Sequence, residues 1–509
     1  MTAHSHGRRR FLGGAGAWLG ASLAGLRAEP ENFHTVSIIH TTDLHGHIVP
    51  TRTYEGVENV GGFARCATRI RRWRRESPDS LLVDVGDVWQ GTAESYLEKG
   101  RLMMRLFNLL EYDAWTLGNH DFDWGRGALE ANLALSKPAV LTGNLHVDGK
   151  ASGALEGAWK SVLPWVMKEA GGFRIALIGL VTPGLPYWLP AELMDGAEVQ
   201  DPLDALRRSV AEARAAKADA VVVAGHMGFI NQDDFANPVR SILKQVPGVD
   251  VYLGGHTHRD QPLWKIGDVL CSQASYHGIH CGRVDLTFDR ATHKLIGRDA
   301  MTELMDARFE PDAAVMDLAA PDMKKSTEQL ARKLAVVQTT IKSGGADNPL
   351  AALFCECFAA ALAQNGHPVD GVFHGTFRSG DVPVGEITVA DCWKMLPYEN
   401  LLVTASLGAR ELIEIIKMER GLKTSDRILW PFQLRLDGSG AVKTFTHRGK
   451  EVAEDARFTI AFNSYDAQSG GQTMMPLREI LSRPEARRRF TGIDTRNALI
   501  DGLLRRGET

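Results

Sequence analysis

The chain has 509 residues, more than one hydrophobic core usually supports, so two domains are the default expectation. Its 44% hydrophobic and 24% charged residues are typical of a soluble α/β protein and exclude a disordered, fibrous or membrane-embedded chain. With 58 basic against 62 acidic residues, the formal charge of −4 gives no general attraction to polymeric nucleic acid or anionic lipid.

Residues 1–28 are typical of a targeting segment that takes no part in the fold. The arginines at positions 8–10 precede an apolar, Gly- and Ala-rich run that ends at Leu26. This pattern resembles a twin-arginine export signal. A membrane anchor is the alternative, but the run of about 16 residues is shorter than the roughly 20 that a spanning helix needs. We expect export by the twin-arginine route to the periplasm or the exterior, with no stable anchor after cleavage.

Five short apolar runs alternate with helical stretches between residues 36 and 255. The runs, each ending in polar residues, are VSIIHTTDLH, LLVDVGD, AWTLGNHD, AVVVAGHMG and VDVYLGGHTH. Such β-branched runs predict buried strands, and the stretches over 62–74 and 202–216 predict helices between them. Because ligands collect beyond the carboxyl ends of parallel strands, we expect a site where the five polar clusters meet.

A second, smaller α/β unit is predicted after a charged helical stretch over 311–342, which suggests a solvated linking helix. Within this unit the sequence predicts a helix over 350–364, a strand at VDGVFHG, a helix start at VADCWKML and a strand at ARFTIAFNSY. We therefore predict an N-terminal catalytic domain over 34–310, a linker helix over 311–347 and a C-terminal domain over 348–509.

The six cysteines show no spacing that supports a disulfide framework or a zinc site. Cys355 and Cys357 lie in an apolar helical stretch and point to different faces. We expect buried free thiols.

Oxygen and nitrogen donors follow all five predicted strands. Asp43 and His45 are two residues apart, so on an extended strand end their side chains point to one side and converge on one ion. A mixed donor set without thiolates favours Mn²⁺, Zn²⁺, iron or Co²⁺, and it suffices for two ions if one carboxylate bridges them. The complete set is Asp43, His45, Asp87, Asn119, His226, His256 and His258.

Any single histidine near a strand is more often a hydrogen-bonded structural residue than a ligand. Five polar clusters at strand ends, each beside a glycine, are hard to explain by packing, because packing favours apolar residues there. The histidines that lack this placement are expected to be structural or to support the ligands; they are His34, His47, His277, His280 and His374.

These motifs resemble those of the calcineurin-like metallophosphoesterases, and more fully those of the 5′-nucleotidase family within them. The resemblance implies an α/β fold with an N-terminal four-layer αββα sandwich and a smaller C-terminal α/β domain that binds substrate. The motifs are Asp43-Leu44-His45, Gly86-Asp87, Gly118-Asn119-His120-Asp121, Gly225-His226 and Gly255-His256-Thr257-His258.

The resemblance also implies roles for these residues. One ion would be held by Asp43, His45, Asp87 and His258, and the other by Asp87, Asn119, His226 and His256. His120 and Asp123 would form a catalytic pair. The implied reaction is attack of metal-bound hydroxide on a phosphate monoester such as a 5′-nucleotide, and cyclic nucleotides or sugar nucleotides are further possible substrates. Competing interpretations make Asp121 a ligand or Asp123 a simple turn residue.

The C-terminal half continues the resemblance but departs from it at several positions. Arg378 resembles a phosphate-binding arginine, with a surface salt bridge as the alternative. The family's second arginine is replaced by Val382. Tyr398 and Tyr465 are candidates for the aromatic pair that sandwiches a base, unless they only pack the domain. Gln472 stands where the family has an aspartate that binds ribose. These departures weaken the case for nucleotides more than the case for phosphate monoesters.

Two alternative functions stay open. One is a thiosulfohydrolase of bacterial sulfur oxidation, which hydrolyses a cysteine-bound sulfonate on a carrier protein; that branch is expected to lack the intact Asn119-His120 pair. The other is a non-enzymatic, metal-dependent binding protein, which the presence of all seven ligand positions and His120 disfavours.

Overall fold

The computed structural model describes residues 32–345, 347–377, 379–422 and 426–507. The predicted export segment over 1–28 and the predicted phosphate-binding Arg378 lie outside these residues. Within the described ranges, no helix combines the length and the apolar character that crossing a bilayer requires.

Two β-sheets pack face to face in the N-terminal part of the chain. The first sheet has, in spatial order, the strands Leu295–Leu304, His280–Asp289, Phe33–Thr41, Ser80–Asp84, Ala114–Thr116, Ala139–Leu141 and Val162–Leu163. The second sheet has the strands Trp165–Ala170, Phe173–Val181, Ala220–His226, Val251–Gly254, Val269–Ala274 and Asp260–Ile266. Neighbouring central strands run parallel in both sheets, so their carboxyl ends meet along one edge.

Helices cover the outer face of each sheet. Those on the first sheet are Phe63–Glu76, Ala93–Leu97, Arg101–Leu109, Gly125–Leu135 and Ala313–Leu330. Those on the second sheet are Pro202–Ala215 and Val239–Gln245. The helix Pro202–Ala215 begins where the Asp201 side chain accepts a hydrogen bond from the backbone N–H of Leu203, and it buries Leu206, Val210 and Ala213 at helical spacing.

Three hydrophobic cores separate these four layers. Along the central strand of the first sheet, Ile38 faces the core between the sheets and Ile39 faces the outer helices. In the second sheet, Leu177 faces the core between the sheets and Ile178 faces the outer helices. This period of two, with both faces buried, explains why the strand sequences are almost continuously apolar. The predicted αββα sandwich is confirmed.

Short strands and one short helix lie outside the two main sheets of the sandwich. Thr51–Arg52 pairs with Glu58–Val60 to form a hairpin. A three-stranded sheet and a four-residue helix complete this part; they are Ala197–Val199, Leu145–Val147, Lys150–Ala151 and Ala191–Met194.

The C-terminal part is a smaller α/β unit with a buried core on each face of its sheet. Val372 belongs to one core and Phe373 to the other. The sheet has, in order, the strands Ile428–Trp430, Gly371–His374, Arg457–Asn463, Leu401–Gly408 and Arg489–Asp494. Its helices are Pro349–Gln364, Val389–Met395, Ala409–Gly421, Ser464–Ala467, Met475–Ser482 and Thr495–Gly507. A separate antiparallel sheet comprises Phe432–Leu436, Val442–His447 and Lys450–Glu451.

The predicted helical stretch over 311–342 is only partly helical. The helix Ala313–Leu330 ends early, and the strand Lys333–Val337 follows and pairs with Gly385–Thr388. The β-branched Val336 and Val337 favour the extended conformation, and Leu334 and Val337 of this strand are buried. The domain boundaries stay predictions. All six cysteines are buried free thiols, as predicted.

Candidate metal centre and adjoining cavity

Loops that follow strands of both sheets bring the predicted ligands together. Within each of two groups, the ligand atoms lie within 4.8 Å of one another. Asp87 belongs to both groups, which is the arrangement that a bridging carboxylate requires. The first group is Asp43, His45, Asp87 and His258, and the second is Asp87, His226 and His256.

The nitrogen donors point toward the two carboxylates. His226 Nε2 lies 3.1 Å from Asp87 Oδ2 and 4.0 Å from Asp43 Oδ1. His258 Nε2 lies 3.3 Å from Asp43 Oδ1 and 3.0 Å from His45 Nε2. The Nε2 atoms of these rings therefore converge on one small volume at the carboxyl ends of the strands.

Asn119 completes the predicted set from the adjoining loop. The backbone N–H of His120 donates to Asp87 Oδ1 over 2.8 Å, which holds this loop beside the shared carboxylate. The side-chain Oδ1 of Asn119 is buried and has no hydrogen-bond partner among the residues that the structure describes. A buried amide oxygen without a hydrogen-bond partner lowers the stability of the fold unless a cation binds it.

The ligand loops depend on left-handed backbone conformations. Five of the predicted ligands have φ between 49° and 71°; they are Asp43, His45, Asp87, His256 and His258. Such conformations are unfavourable for residues with a side chain and are concentrated at functional sites. Asp43 and His45 converge as predicted, but the predicted reason, that they are alternate residues of an extended strand, was wrong. The strand ends at Thr41, and the loop turns both side chains inward.

Two glycines permit the close approach of the loops. A Cβ atom on Gly118 would lie 2.2 Å from Asp87 Oδ1, and one on Gly86 would lie 2.6 Å from the backbone nitrogen of Gly118. A side chain at Gly118 would displace the bridging carboxylate, and one at Gly86 would displace the backbone of Gly118 and the ring of His226.

Backbone carbonyls orient two of the histidines. His45 Nδ1 lies 2.7 Å from the Gln90 carbonyl oxygen, and His226 Nδ1 lies 2.7 Å from that of Val85. Because a carbonyl oxygen only accepts, Nδ1 carries the proton in both rings and Nε2 presents its lone pair to the ligand groups.

Asp121 ties the ligand loops together. Its carboxylate accepts hydrogen bonds from the backbone N–H groups of Asp87, Val88 and Gly118, at 3.1, 2.9 and 2.8 Å. These contacts use both of its oxygens, so the geometry favours a supporting role over the alternative in which Asp121 is a ligand.

His120 and Asp123 form a close pair at the edge of the centre. His120 Nδ1 lies 2.7 Å from Asp123 Oδ2. Burial on its own would lower the pKa of His120, but the negative charges of Asp123 and Asp87 outweigh it and hold this pKa well above its ordinary value. Burial raises the pKa of Asp123 to about 6. This contact disfavours the alternative in which Asp123 is only a turn residue.

The donor set fits divalent cations. It combines carboxylate and amide oxygens with imidazole nitrogens and contains no thiolate. The carboxylates of Asp43 and Asp87 are fully buried, and their ion-pair partners among the described residues are histidines. Buried carboxylates with such partners are stabilised by a bound cation.

A cavity of about 390 Å³ adjoins the centre and lies between the two parts of the chain. Both predicted tyrosines, Tyr398 and Tyr465, line it, and the Tyr398 ring lies parallel to that of His120 at a centroid distance of 6.0 Å. Phe377, the residue before Arg378, lines it too. Gln472, by contrast, is exposed and is not among the residues that line this cavity.

Sequence reasoning missed Trp188, which forms another wall of the cavity. Its ring centroid lies 5.0 Å from that of His256. The backbone carbonyls of the preceding Pro186 and Tyr187 accept hydrogen bonds from Gln468 and Ser469 of the C-terminal part. A tryptophan in a loop bounded by prolines is the sequence signal that could have indicated this position.

A buried polar network that the sequence did not reveal joins the two parts of the chain beside the cavity. Glu399 accepts hydrogen bonds from Gln90 Nε2 at 2.8 Å and from Arg496 Nη1 at 2.6 Å. Gln90 is also the residue whose carbonyl orients His45. The network therefore connects a predicted metal ligand to the C-terminal helix.

The histidines that were expected to be structural or supporting lie outside both ligand groups. His47 and His277 stack at 3.6 Å beside the centre, and burial lowers the pKa of His47 to about 4. His34 and His280 contact surface aspartates, and His374 packs against Phe358 in the C-terminal part.

Comparison with known proteins gives two family matches. Residues 36–260 match the family model for calcineurin-like phosphoesterases, and residues 332–478 match that for the C-terminal domain of 5′-nucleotidases.

Individual relatives agree with these matches. A snake venom 5′-nucleotidase from Naja atra is 29% identical over 305 residues, which are 55% of this chain and 55% of that protein. The chain thus spans about half the length of this relative. A 2′,3′-cyclic-nucleotide 2′-phosphodiesterase/3′-nucleotidase from Salmonella typhimurium is 27% identical over 88% of this chain and 84% of its own length. The solved structure of a 5′-nucleotidase precursor from Thermus thermophilus shares the fold, with a TM-score of 0.68, 23% identity and coverage of 93% of this chain and 97% of that one.

Proposed function

Because the chain belongs to the 5′-nucleotidase family of the calcineurin-like phosphoesterases, we propose that it is a metal-dependent enzyme that hydrolyses phosphate monoesters. One observation carries this proposal: two ligand groups share Asp87 beside a cavity that His120 lines.

Two divalent cations, Mn²⁺, Zn²⁺ or similar, would occupy the two groups. The first would be held by Asp43, His45, Asp87 and His258, and the second by Asp87, Asn119, His226 and His256. When bound, such ions act as Lewis acids toward a phosphoryl oxygen and lower the pKa of water.

The chain's own contribution centres on His120. With its pKa held high, the ring carries a proton on each nitrogen near neutral pH. Nδ1–H donates to Asp123, which fixes the ring and stabilises its charge, and Nε2–H serves as the donor to the phosphate and to the departing oxygen. Asp123 lies outside both ligand groups, so its carboxylate stays available to His120 Nδ1–H when cations occupy them.

A 5′-nucleotide is the substrate that we propose. The walls of the cavity include Trp188, Phe377, Tyr398 and Tyr465, whose rings suit a nucleobase, and 390 Å³ is in the range of small-molecule sites. Arg378, which follows Phe377, is proposed to bind the phosphate. Because the Salmonella relative is named a 2′,3′-cyclic-nucleotide 2′-phosphodiesterase/3′-nucleotidase, a substrate panel should also include 3′-nucleotides and cyclic nucleotides.

We place the enzyme outside the cytoplasm, on the basis of the arginines at positions 8–10 and the apolar run after them. Replacement of these arginines by lysines is expected to keep the protein in the cytoplasm, and unchanged export would contradict the twin-arginine route.

The central test is His120→Ala in the purified, Mn²⁺-loaded protein. Metal content is expected to stay at the level of the unsubstituted protein, because His120 lies outside both ligand groups. Turnover of a nucleotide monophosphate is expected to fall by roughly 10²- to 10⁴-fold, the usual contribution of a general acid. His293→Ala, at an exposed histidine, is the matched control and is expected to have normal turnover. Normal turnover in His120→Ala would refute the proposed mechanism.

A substrate panel tests the specificity. Tyr398→Ala is expected to raise KM for nucleotides and to leave KM for glycerol phosphate nearly unchanged, since only the nucleotide has a base to stack. A thiosulfonate belongs in the same panel. Its hydrolysis in the absence of phosphatase activity would replace this proposal by the thiosulfohydrolase that the intact Asn119-His120 pair argues against.

A further inference from the structure

The predicted metal ligands differ in what orients them. His45 and His226 are oriented by backbone carbonyls inside the fold. His258 Nδ1 instead lies 2.8 Å from the hydroxyl oxygen of Tyr54, a residue of the hairpin turn between Thr51–Arg52 and Glu58–Val60. This contact is exposed, since Tyr54 is 65% accessible to solvent.

Tyr54 is held over His258 by more than one contact. Its ring is nearly parallel to those of Tyr276 and His258, with interplanar angles of 11° and 13°. The Tyr276 hydroxyl accepts a hydrogen bond from the backbone N–H of Tyr54 over 2.8 Å. Stacking and backbone contacts thus hold the Tyr54 hydroxyl within hydrogen-bonding distance of His258 Nδ1.

The geometry assigns Tyr54 as a positioning residue for His258. His258 Nε2 faces Asp43 and His45, so it is the atom available to a cation, and Nδ1–H donates to the Tyr54 oxygen. This contact fixes the tautomer and the ring orientation. The inference rests on the proposed function, because it requires a cation in the first ligand group.

One consequence concerns the two ions separately. Each group contains one half-buried histidine, His258 in the first and His256 in the second, and Tyr54 contacts the one in the first group. Loss of the Tyr54 hydroxyl is therefore expected to weaken the ion of the first group and to leave the ion of the second group in place.

Tyr54→Phe tests the hydroxyl while it keeps the stacked ring. Loss of such an outer partner typically weakens metal affinity by about 10- to 100-fold. We expect Tyr54→Phe to release one of two Mn²⁺ ions at a 10- to 100-fold lower chelator concentration than the unsubstituted protein, with the second ion retained. The measurement is metal content by elemental analysis across a graded chelator dialysis.

Controls separate positioning from a general loss of structure. Val57→Ala alters an exposed residue of the same hairpin and is expected to retain both ions. Tyr54→Gln, which restores a hydrogen-bond acceptor without the ring, is expected to recover part of the affinity. The melting temperature of the metal-free protein should be the same for Tyr54→Phe and the unsubstituted chain.

Two failures are distinguishable. If the unsubstituted protein does not bind two ions, the proposed function itself is wrong. If it binds two and Tyr54→Phe releases them at the unsubstituted chelator concentrations, only the positioning role is overturned.

Discussion

Glu399 joins the two parts of the chain through a buried ion pair, and its removal is expected to destabilise the protein strongly. Glu399 and Arg496 are 8% and 2% exposed. In Glu399→Ala, the Arg496 guanidinium would keep the Leu396 carbonyl, which accepts from its Nε over 2.8 Å, and the Trp393 ring at 3.6 Å. Its positive charge would stay in the interior without the carboxylate that is hydrogen-bonded to it there.

The size of the effect follows from this geometry. Breaking a buried pair by removing one partner costs about 3–5 kcal/mol, because the other charge stays buried. For a domain of 150–250 residues, each kcal/mol shifts the melting temperature by about 2–4 °C. We therefore expect the transition of the C-terminal part to fall by roughly 6–20 °C. The double variant Glu399→Met with Arg496→Met should recover most of this loss.

Differential scanning calorimetry of the metal-loaded protein measures the shift. Glu454→Ala is the matched control, since Glu454 pairs with Arg410 on the surface, where such a pair is worth about 1 kcal/mol or less. A Glu399→Ala shift no larger than that of Glu454→Ala would refute the inference that this network holds the two parts of the chain together.

Two further predictions concern the ligand loops and the pH dependence of stability. Asp121→Ala removes the acceptor of three backbone N–H groups, which costs about 1–3 kcal/mol of folding free energy each. Both the melting temperature and the bound metal are therefore expected to fall. Unchanged metal content would contradict the role of Asp121 in holding the ligand loops. Burial lowers the pKa of His374 from 6.5 to about 4. The folded state therefore holds this ring neutral at pH values where the unfolded chain would protonate it. As the pH falls from 6.5 toward 4, the free energy of unfolding is expected to decrease by about 1.4 kcal/mol per pH unit. His374→Leu should flatten the urea-midpoint profile over this window, and a profile parallel to that of the unsubstituted protein would exclude His374 as a cause.

Local sequence signals predicted the elements well where periodicity was strong. The strands Phe33–Thr41 and Ala220–His226 and the helix Pro349–Gln364 appear where the apolar pattern placed them. The strand Lys333–Val337 was missed, because it is short, the charged residues before it suggested a solvated helix, and its pairing partner lies about fifty residues later.

The candidate site was predictable as far as it depends on motifs. The seven donors were identified from their strand-end positions, and six of them meet in the two ligand groups. The left-handed loops were not predicted, because the enrichment of aspartate and histidine at positive φ does not indicate which of the chain's many Asp and His residues adopt it. The contacts of Glu399 with Gln90 and of Tyr54 with His258 join residues 309 and 204 positions apart, and only the folded chain brings them together.

The central claim is that two cations share Asp87, and metal stoichiometry in Asp87→Ala tests it most directly. Elemental analysis after dialysis is expected to give two ions per chain for the unsubstituted protein and fewer than one for Asp87→Ala, because both sites lose a ligand. His45→Ala, at a ligand of the first group only, is expected to retain about one ion. A single ion in the fully active unsubstituted protein, or an Asp87→Ala variant that keeps one ion tightly bound, would contradict the shared site.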